Sequence, residues 1–160
     1  MDGIILTPLK KIPNSSGDVL HAMKTSDRGY NGFGEAYFSF VQNGVTKGVK
    51  RHLRMTLNLT VPIGLVEFAF RDENGGNRTE TIGESNFCRL TVPNKIWFSF
   101  SGLASPFSLV LNIADIDHDP IEVERKPLGY FSIWKVFTVY LIEIGISESI
   151  GRRFANTNTN

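Results

Sequence analysis

The strict alternation of apolar and polar residues that follows Lys47 constrains the fold more than any other sequence feature. A period of two residues is that of a β-strand with one buried face. The apolar face carries Met55, Leu57, Leu59 and Val61. The opposite face carries His52, Arg54, Thr56, Asn58 and Thr60. We therefore expect one strand between Lys47 and Val61, with its polar face turned to water or lining a pocket.

Similar short alternations recur along the chain, separated by glycine- and proline-containing turns. We expect a hairpin in which Pro62-Ile63-Gly64 forms the turn between this strand and the next one, Val66 to Phe70. Many short strands with such turns predict a β-sandwich or barrel. The apolar run from Trp134 to Ile146 fits either a buried strand or a core helix. We expect short helical or irregular additions at the C-terminus.

The length and composition predict one globular domain over residues 1-150, followed by a disordered polar tail over 151-160. Apolar residues make up 41% of the chain, and its net charge is +1. A net charge this small does not attract nucleic acid or an acidic membrane surface over the whole molecule. The apolar run near the C-terminus is too short to span a bilayer. The lone Cys88 and the lack of a secretory signal pattern predict a cytoplasmic protein.

His52 is the candidate for acid–base chemistry, because its unperturbed pKa lies near neutrality. Four cations surround it in sequence, which suits proton transfer on an anionic substrate. They are Lys47, Lys50, Arg51 and Arg54. The alternative is a surface histidine at the basic end of a strand.

We predict no catalytic metal and no cofactor. A metal site on a β-strand commonly uses a His-x-His pair, whereas this chain has His52-Leu53-Arg54, with a guanidinium in place of the second imidazole. Asp117-His118-Asp119 places its candidate ligands on adjacent residues, which rarely converge on one ion.

Several segments, in this order, resemble the dTDP-4-dehydrorhamnose 3,5-epimerase family over roughly residues 17 to 126. They are Asp27-Arg28-Gly29, Phe33-Gly34-Glu35 with Tyr37, Lys50-Arg51-His52, Arg89 to Pro93, and Asn112 to Glu122. The resemblance implies an all-β, cupin-type jelly-roll barrel, a homodimer, and a nucleotide-diphosphate sugar bound in the barrel mouth.

The same resemblance implies roles for individual residues. His52 would remove a proton next to a ketone. The family's position for the acid is not matched in this sequence, so the acid would come from elsewhere, with Tyr37 or Tyr30 as the first candidates. Lys50, Arg51 or Arg54 would hold the enolate oxygen and the diphosphate. Arg28, Phe33 and Glu35 would contact the nucleotide, from the same subunit or its partner. Asn112 is a further substrate-binding candidate.

Three departures from the family pattern keep alternatives open. Leu111 stands where the family has its catalytic tyrosine, Trp97 where it has a second histidine, and Leu57 where it has a lysine. The C-terminal region offers no match for the aspartate that partners the base. We expect a 4-keto-6-deoxy sugar epimerase acting at C3, C5 or both in surface-polysaccharide synthesis. The alternatives are a sugar ketoisomerase and a binding or assembly cupin without catalysis.

Overall fold

The computed structural model describes residues 3–131, and its regular structure is β-strands with two short 3-10 turns. The strands are β1 (Ile5–Pro8), β2 (Lys11–Ile12), β3 (Val19–Leu20), β4 (Glu35–Gln42), β5 (Thr46–His52), β6 (Leu57–Ile63), β7 (Leu65–Arg71), β8 (Asn77–Gly83), β9 (Cys88–Val92), β10 (Trp97–Gly102), β11 (Phe107–Ala114) and β12 (Val123–Arg125). The 3-10 turns are Pro120–Glu122 and Leu128–Phe131.

Two five-stranded sheets form the body of the fold. The first has the order β1-β9-β6-β11-β4 and the second β12-β5-β10-β7-β8, while β2 and β3 pair separately. Neighbouring strands within each sheet run antiparallel. The predicted all-β jelly-roll architecture is confirmed.

The core lies between the two sheets, where leucines of the first meet phenylalanines of the second. Phe68 and Phe100 pack with ring centroids 5.6 Å apart, and Phe98 stacks on the His52 ring at 6.3 Å. Burying each such phenylalanine contributes about 1.5–3 kcal/mol. The aromatic core therefore also fixes the position of the candidate base.

The expectation of one strand from Lys47 to Val61 was wrong. The alternating segment forms two strands, β5 and β6, which belong to different sheets. The break lies at residues 53–56, where the backbone N–H groups of Leu53, Arg54 and Met55 donate to the carboxylate of Glu122 instead of a strand. Of the predicted polar face, His52 at the end of β5 is the residue that borders a cavity.

The predicted hairpin at Pro62-Ile63-Gly64 was also wrong, because β6 and β7 lie in different sheets and do not pair. Gly64 makes the crossing with φ +81°, and a Cβ there would lie 2.6 Å from Ser108 Oγ. Strand β7 pairs instead with β8 across the turn at residues 72–76. Asp72 caps that turn by accepting from the N–H groups of Asn74 and Gly76.

The polar face of β6 is buried beneath the segment of residues 22–31, so it meets neither water nor the pocket. Asn58 donates to the Gly29 carbonyl and accepts from Thr91 Oγ1 at 2.7 Å. The fully buried Arg89 donates to Asp27 at 2.8 Å and to the Arg28 carbonyl at 3.0 Å. These bonds satisfy polar groups that would otherwise be costly to bury.

The described strands all belong to one compact unit, which ends at Leu128. The predicted domain boundary at residue 150, the tail over 151-160 and the apolar run from Trp134 to Ile146 lie outside the described residues. Among residues 3–131 no helix is long and apolar enough to cross a bilayer.

Candidate active site

A cavity of about 330 Å³ opens between β4, β5 and β12, and His52 lies in its wall. This volume falls within the range of about 300–1,000 Å³ common for small-molecule sites. The lining residues are Glu35, Tyr37, Lys50, His52, Met55, His118, Val123 and Arg125. The cavity therefore gathers two histidines, two cations, a carboxyl group and a phenol.

The two imidazole nitrogens of His52 have different environments. Nδ1 is hydrogen-bonded to Oε1 of Glu122, a residue that is itself 2% exposed. Nε2 is buried and has no hydrogen-bond partner among the described residues, although His52 borders the cavity. A buried nitrogen without a partner is costly in a folded protein unless a ligand or water completes it.

The charge states of this pair follow from their surroundings. Burial lowers the pKa of His52 below its ordinary value of 6.5, outweighing the hydrogen bond to Glu122, which raises it. Burial opposes ionisation of Glu122, but hydrogen bonds from His52 and the N–H groups of Arg54 and Met55 outweigh it, so the Glu122 pKa is lowered. Near neutral pH, Glu122 is therefore a carboxylate that accepts from the Nδ1–H of a neutral His52. This tautomer leaves the Nε2 lone pair free to accept a proton.

Glu122 is a candidate site residue that sequence reasoning missed. Its other oxygen, Oε2, accepts from the N–H groups of Leu53 and Arg54 at 3.1 and 3.3 Å, so Glu122 anchors the link between β5 and β6 as well as His52. The only local signal is Asp119-Pro120, which starts the 3-10 turn that carries Glu122, with Asp119 accepting from Ile121 N. Nothing local indicates a partner 70 positions earlier in the chain.

Two lysines of β5 face the inside of the fold because the strand register shifts. Lys50 lies opposite Phe98 and Lys47 opposite Phe100, both inward-facing residues of β10, with an irregularity between them. Gly48 allows this shift, since its φ is +110° and a Cβ would lie 2.9 Å from the Phe98 carbonyl oxygen. Lys47 donates to Ser39 Oγ at 3.1 Å.

The opposite wall of the cavity belongs to β4, which contributes Glu35 and Tyr37. A second cavity of about 50 Å³ shares Tyr37 and Lys50 and is also bordered by Asn112. Both polar atoms of the Asn112 amide are buried and have no well-formed hydrogen bond to any residue within 3–131. Desolvation raises the pKa of the Tyr37 phenol above its ordinary value of 10, so it is protonated at neutral pH. Base and phenol thus lie on opposite sheets, facing one cavity.

Arg51 and Arg54, two of the proposed anion-binding residues, do not line the cavity. The Arg51 guanidinium bonds to Glu124 and Glu73 and lies 4.8 Å above the Trp97 ring. Arg54 pairs with Asp119 at 2.7 Å and is 64% exposed. The alternation of strand β5 explains the orientation of Arg51, which must face away from Lys50 and His52.

The predicted nucleotide-binding segment is also outside this cavity in the described chain. Arg28 and Tyr30 belong to the segment that covers β6 and β9, and Phe33 is 64% exposed without bordering the pocket. Glu35 alone of this group lines it. Gly34 allows the start of β4 to lie close to the backbone of Ile116, after β11. Any larger residue would clash there, because a Cβ would lie 2.3 Å from the Ile116 Cα.

Residues 3–131 contain no group of three or more His, Cys, Asp or Glu side chains that could hold a metal ion. His118 borders the cavity from the loop after β11. Neighbouring Asp119 pairs with Arg54, and Asp115 accepts from the Thr56 N–H at 2.8 Å. These bonds fasten the His118 loop to the link between β5 and β6.

Comparison with solved structures identifies similar folds. A dTDP-sugar isomerase from Desulfovibrio desulfuricans G20 is 33% identical, with a TM-score of 0.78, covering 81% of this chain and 87% of that one. No protein-family model matches the sequence. No curated protein matches it either.

Two further structures are similar in fold at lower identity. A dTDP-4-dehydrorhamnose 3,5-epimerase from Sulfolobus tokodaii is 20% identical, with a TM-score of 0.74, covering 83% of this chain and 82% of that one. A sugar 3,4-ketoisomerase from Thermoanaerobacterium thermosaccharolyticum, crystallised with TDP, is 15% identical, with a TM-score of 0.69, covering 82% of this chain and 93% of that one.

Proposed function

Because the chain belongs to the dTDP-sugar isomerase family, we propose that its cavity binds a nucleotide-diphosphate 4-keto-6-deoxy sugar and moves a proton next to the ketone. The observation that carries the proposal is the His52 ring in the cavity wall, whose Nδ1–H is held by Glu122 and whose Nε2 has no hydrogen-bond partner among residues 3–131. A neutral imidazole held in one tautomer is suited to general-base catalysis.

The proposed reaction proceeds through an enolate. His52 Nε2 takes the proton from a carbon next to the C4 ketone, and the electron pair of that C–H bond moves into the enolate, placing negative charge on the C4 oxygen. Lys50 stabilises this charge, since it is the cation that borders both cavities. Tyr37 then donates a proton to the same carbon from the opposite face, and the ketone re-forms with the carbon inverted. Exchange with water returns His52 to its neutral form and Tyr37 to its phenol.

The opposed positions of His52 and Tyr37 favour epimerisation at C3, C5 or both. A ketoisomerase needs only one base, which moves the C3 proton to C4 on the same face, while the C4 oxygen gains a proton and the 3-hydroxyl group loses one. This ketoisomerase is the second candidate. Leu111 lies on the outer side of β11 and borders neither of the two cavities, so it does not discriminate between the two reactions. A binding protein without catalysis is the third candidate.

We also propose a homodimer formed through the outer face of β4 and β11. Strand β4 ends its sheet, and Phe38 and Phe40 on it are 62% and 60% exposed. The neighbouring outward residues of β11 are Phe107, Leu109, Leu111 and Ile113. An uncharged apolar face beside an open strand edge suits pairing with a second copy. In such a dimer, Arg28 and Phe33 of one subunit remain candidates for contacting nucleotide bound to the other.

The sequence resemblance supports a place for this reaction in the cytoplasmic stage of bacterial surface-polysaccharide synthesis. The substrate would then be a sugar already joined to a nucleotide diphosphate.

The test is product analysis by NMR after incubation with dTDP-4-keto-6-deoxyglucose in deuterated water. Epimerisation predicts deuterium at C3, C5 or both, together with inverted coupling patterns. Ketoisomerisation predicts a 3-keto product. Binding of the sugar nucleotide without deuterium incorporation or product would reject both enzymatic candidates.

A further inference from the structure

Two cations meet directly across neighbouring strands at the cavity. Arg125 of β12 is the register partner of Lys50 of β5, so both side chains leave the sheet on the same side, and both border the cavity. Like charges in opposed positions of an antiparallel pair destabilise a sheet. This arrangement calls for an explanation other than fold stability.

Nearby arginines differ from these two cations, because they are paired with carboxylates. Arg51, Arg54 and Arg89 each have a carboxylate within 3 Å. Within residues 3–131, neither Lys50 nor Arg125 is paired with one. Lys50 instead lies 5.5 Å above the Phe98 ring, in a largely buried place. The two cations that face the cavity are therefore available to an anion.

We propose that Lys50 and Arg125 form one anion site, and that the diphosphate of the substrate, bound between them, fixes Lys50 as an ammonium beside the reacting ketone. This inference rests on the proposed function. It adds a coupling between binding of the diphosphate and the protonation of Lys50. Without the anion, Lys50 faces the guanidinium of Arg125 in a partly desolvated wall. With the anion, both positive charges are compensated, and Lys50 retains its proton for stabilising the enolate.

The surroundings of Lys50 support this coupling. Burial lowers its pKa below the ordinary 10.5, and the charge of Arg125 lowers it further. Other titratable or charged groups around it come from β4, β5 and the loop after β11. They are Glu35, Tyr37, Lys47, His52, His118 and Glu122. Glu122 is already engaged by His52 and three N–H groups, which leaves Glu35 as the one uncommitted carboxylate of this set.

The test is isothermal titration calorimetry of the full chain with inorganic pyrophosphate near pH 9, in buffers of different ionisation enthalpy, to count protons taken up on binding. We expect the wild type to take up more protons than Lys50→Met, because protons of pyrophosphate itself contribute equally to both proteins. Arg125→Met should bind at least about tenfold more weakly, and Arg125→Lys should recover part of the affinity. Lys126→Met is the matched control, since this ammonium lies over the Trp97 ring 5.6 Å from its centre, and it should behave as wild type.

Equal proton uptake by wild type and Lys50→Met would overturn the coupling. Unchanged affinity in Arg125→Met, or no binding of pyrophosphate by the wild type, would overturn the anion site. Each readout is independent of catalysis. Failure of the proposed reaction would instead appear as absent deuterium incorporation in a protein that still binds pyrophosphate with the expected proton uptake.

Discussion

Glu122 accepts a hydrogen bond from His52 Nδ1 across 70 positions of sequence, and both side chains are almost fully buried. The same carboxylate accepts from three backbone N–H groups at the crossing between the sheets. One buried charge thus orients the candidate base and closes the fold around it. The geometry corresponds to a base held by a carboxylate, with Glu122 as the positioning residue.

Replacing Glu122 by Gln should lower the rate of deuterium incorporation by about 10²- to 10⁴-fold, because the amide no longer fixes the Nδ1–H tautomer. The carboxylate raises the pKa of His52, so its loss should also shift the acidic limb of the pH–rate profile to lower pH. A purely structural role would leave the position of that limb unchanged. The control is Glu84→Gln, which changes a carboxylate that accepts from the Gly64 N–H, away from the cavity.

The wild-type pH profile of kcat/KM should rise through a pKa below 6.5, because His52 must be neutral to accept a proton and burial disfavours its charged form. At high pH the rate should fall through a pKa below 10.5, because Lys50 must keep its proton and burial lowers its pKa. The raised pKa of Tyr37 keeps the acid protonated across this range. An acidic limb centred above 6.5 would contradict the assignment of His52.

Charge placed on the outer face of β4 should separate the proposed dimer. Phe38→Asp combined with Phe40→Asp puts two carboxylates where we expect apolar contact with a second copy, so light scattering at micromolar concentration should give the monomer mass. Wild type should give twice that mass. Val19→Asp, at a residue 51% exposed on β3, is the control and should remain dimeric. A monomer mass for the wild type would contradict the proposed dimer.

Gly48→Ala should destabilise the protein by about 1–3 kcal/mol more than Gly44→Ala, as measured by urea unfolding. Both glycines have positive φ, +110° and +73°, but only the Cβ at Gly48 meets neighbouring atoms, 2.9 Å from Ser99 Cα. Gly48→Ala should also reduce activity, because the register shift at this point turns Lys47 and Lys50 inward. Equal losses of stability in the two variants would show that the close approach to β10 is unimportant.

The sequence allowed prediction of features that depend on local pattern. Alternation and turn residues predicted the all-β fold, and the cations next to His52 indicated a candidate base. The side on which each cation projects depended on non-local structure. Arg51 and Lys50 are neighbours, yet one stacks on Trp97 and the other borders the cavity.

Non-local features explain the errors. The change of sheet between β5 and β6 depends on N–H groups that find Glu122, far along the chain. The polar face of β6 resembles a solvated or pocket-lining face in sequence, but the segment of residues 22–31 covers it through Asn58 and Arg89. Such partners leave no periodic signal in the strand that they cover.

The most direct test of the central claim is the rate of deuterium incorporation into dTDP-4-keto-6-deoxyglucose for four proteins. We expect His52→Asn and Lys50→Met to lose about 10²-fold or more, since they remove the base and the charge beside the ketone. Arg51→Gln should remain within about threefold of wild type, because the ion pairs with Glu73 and Glu124 and the contact with Trp97 that it removes lie outside the cavity. Retention of wild-type exchange by His52→Asn, or a loss in Arg51→Gln as large as that in Lys50→Met, would contradict the account.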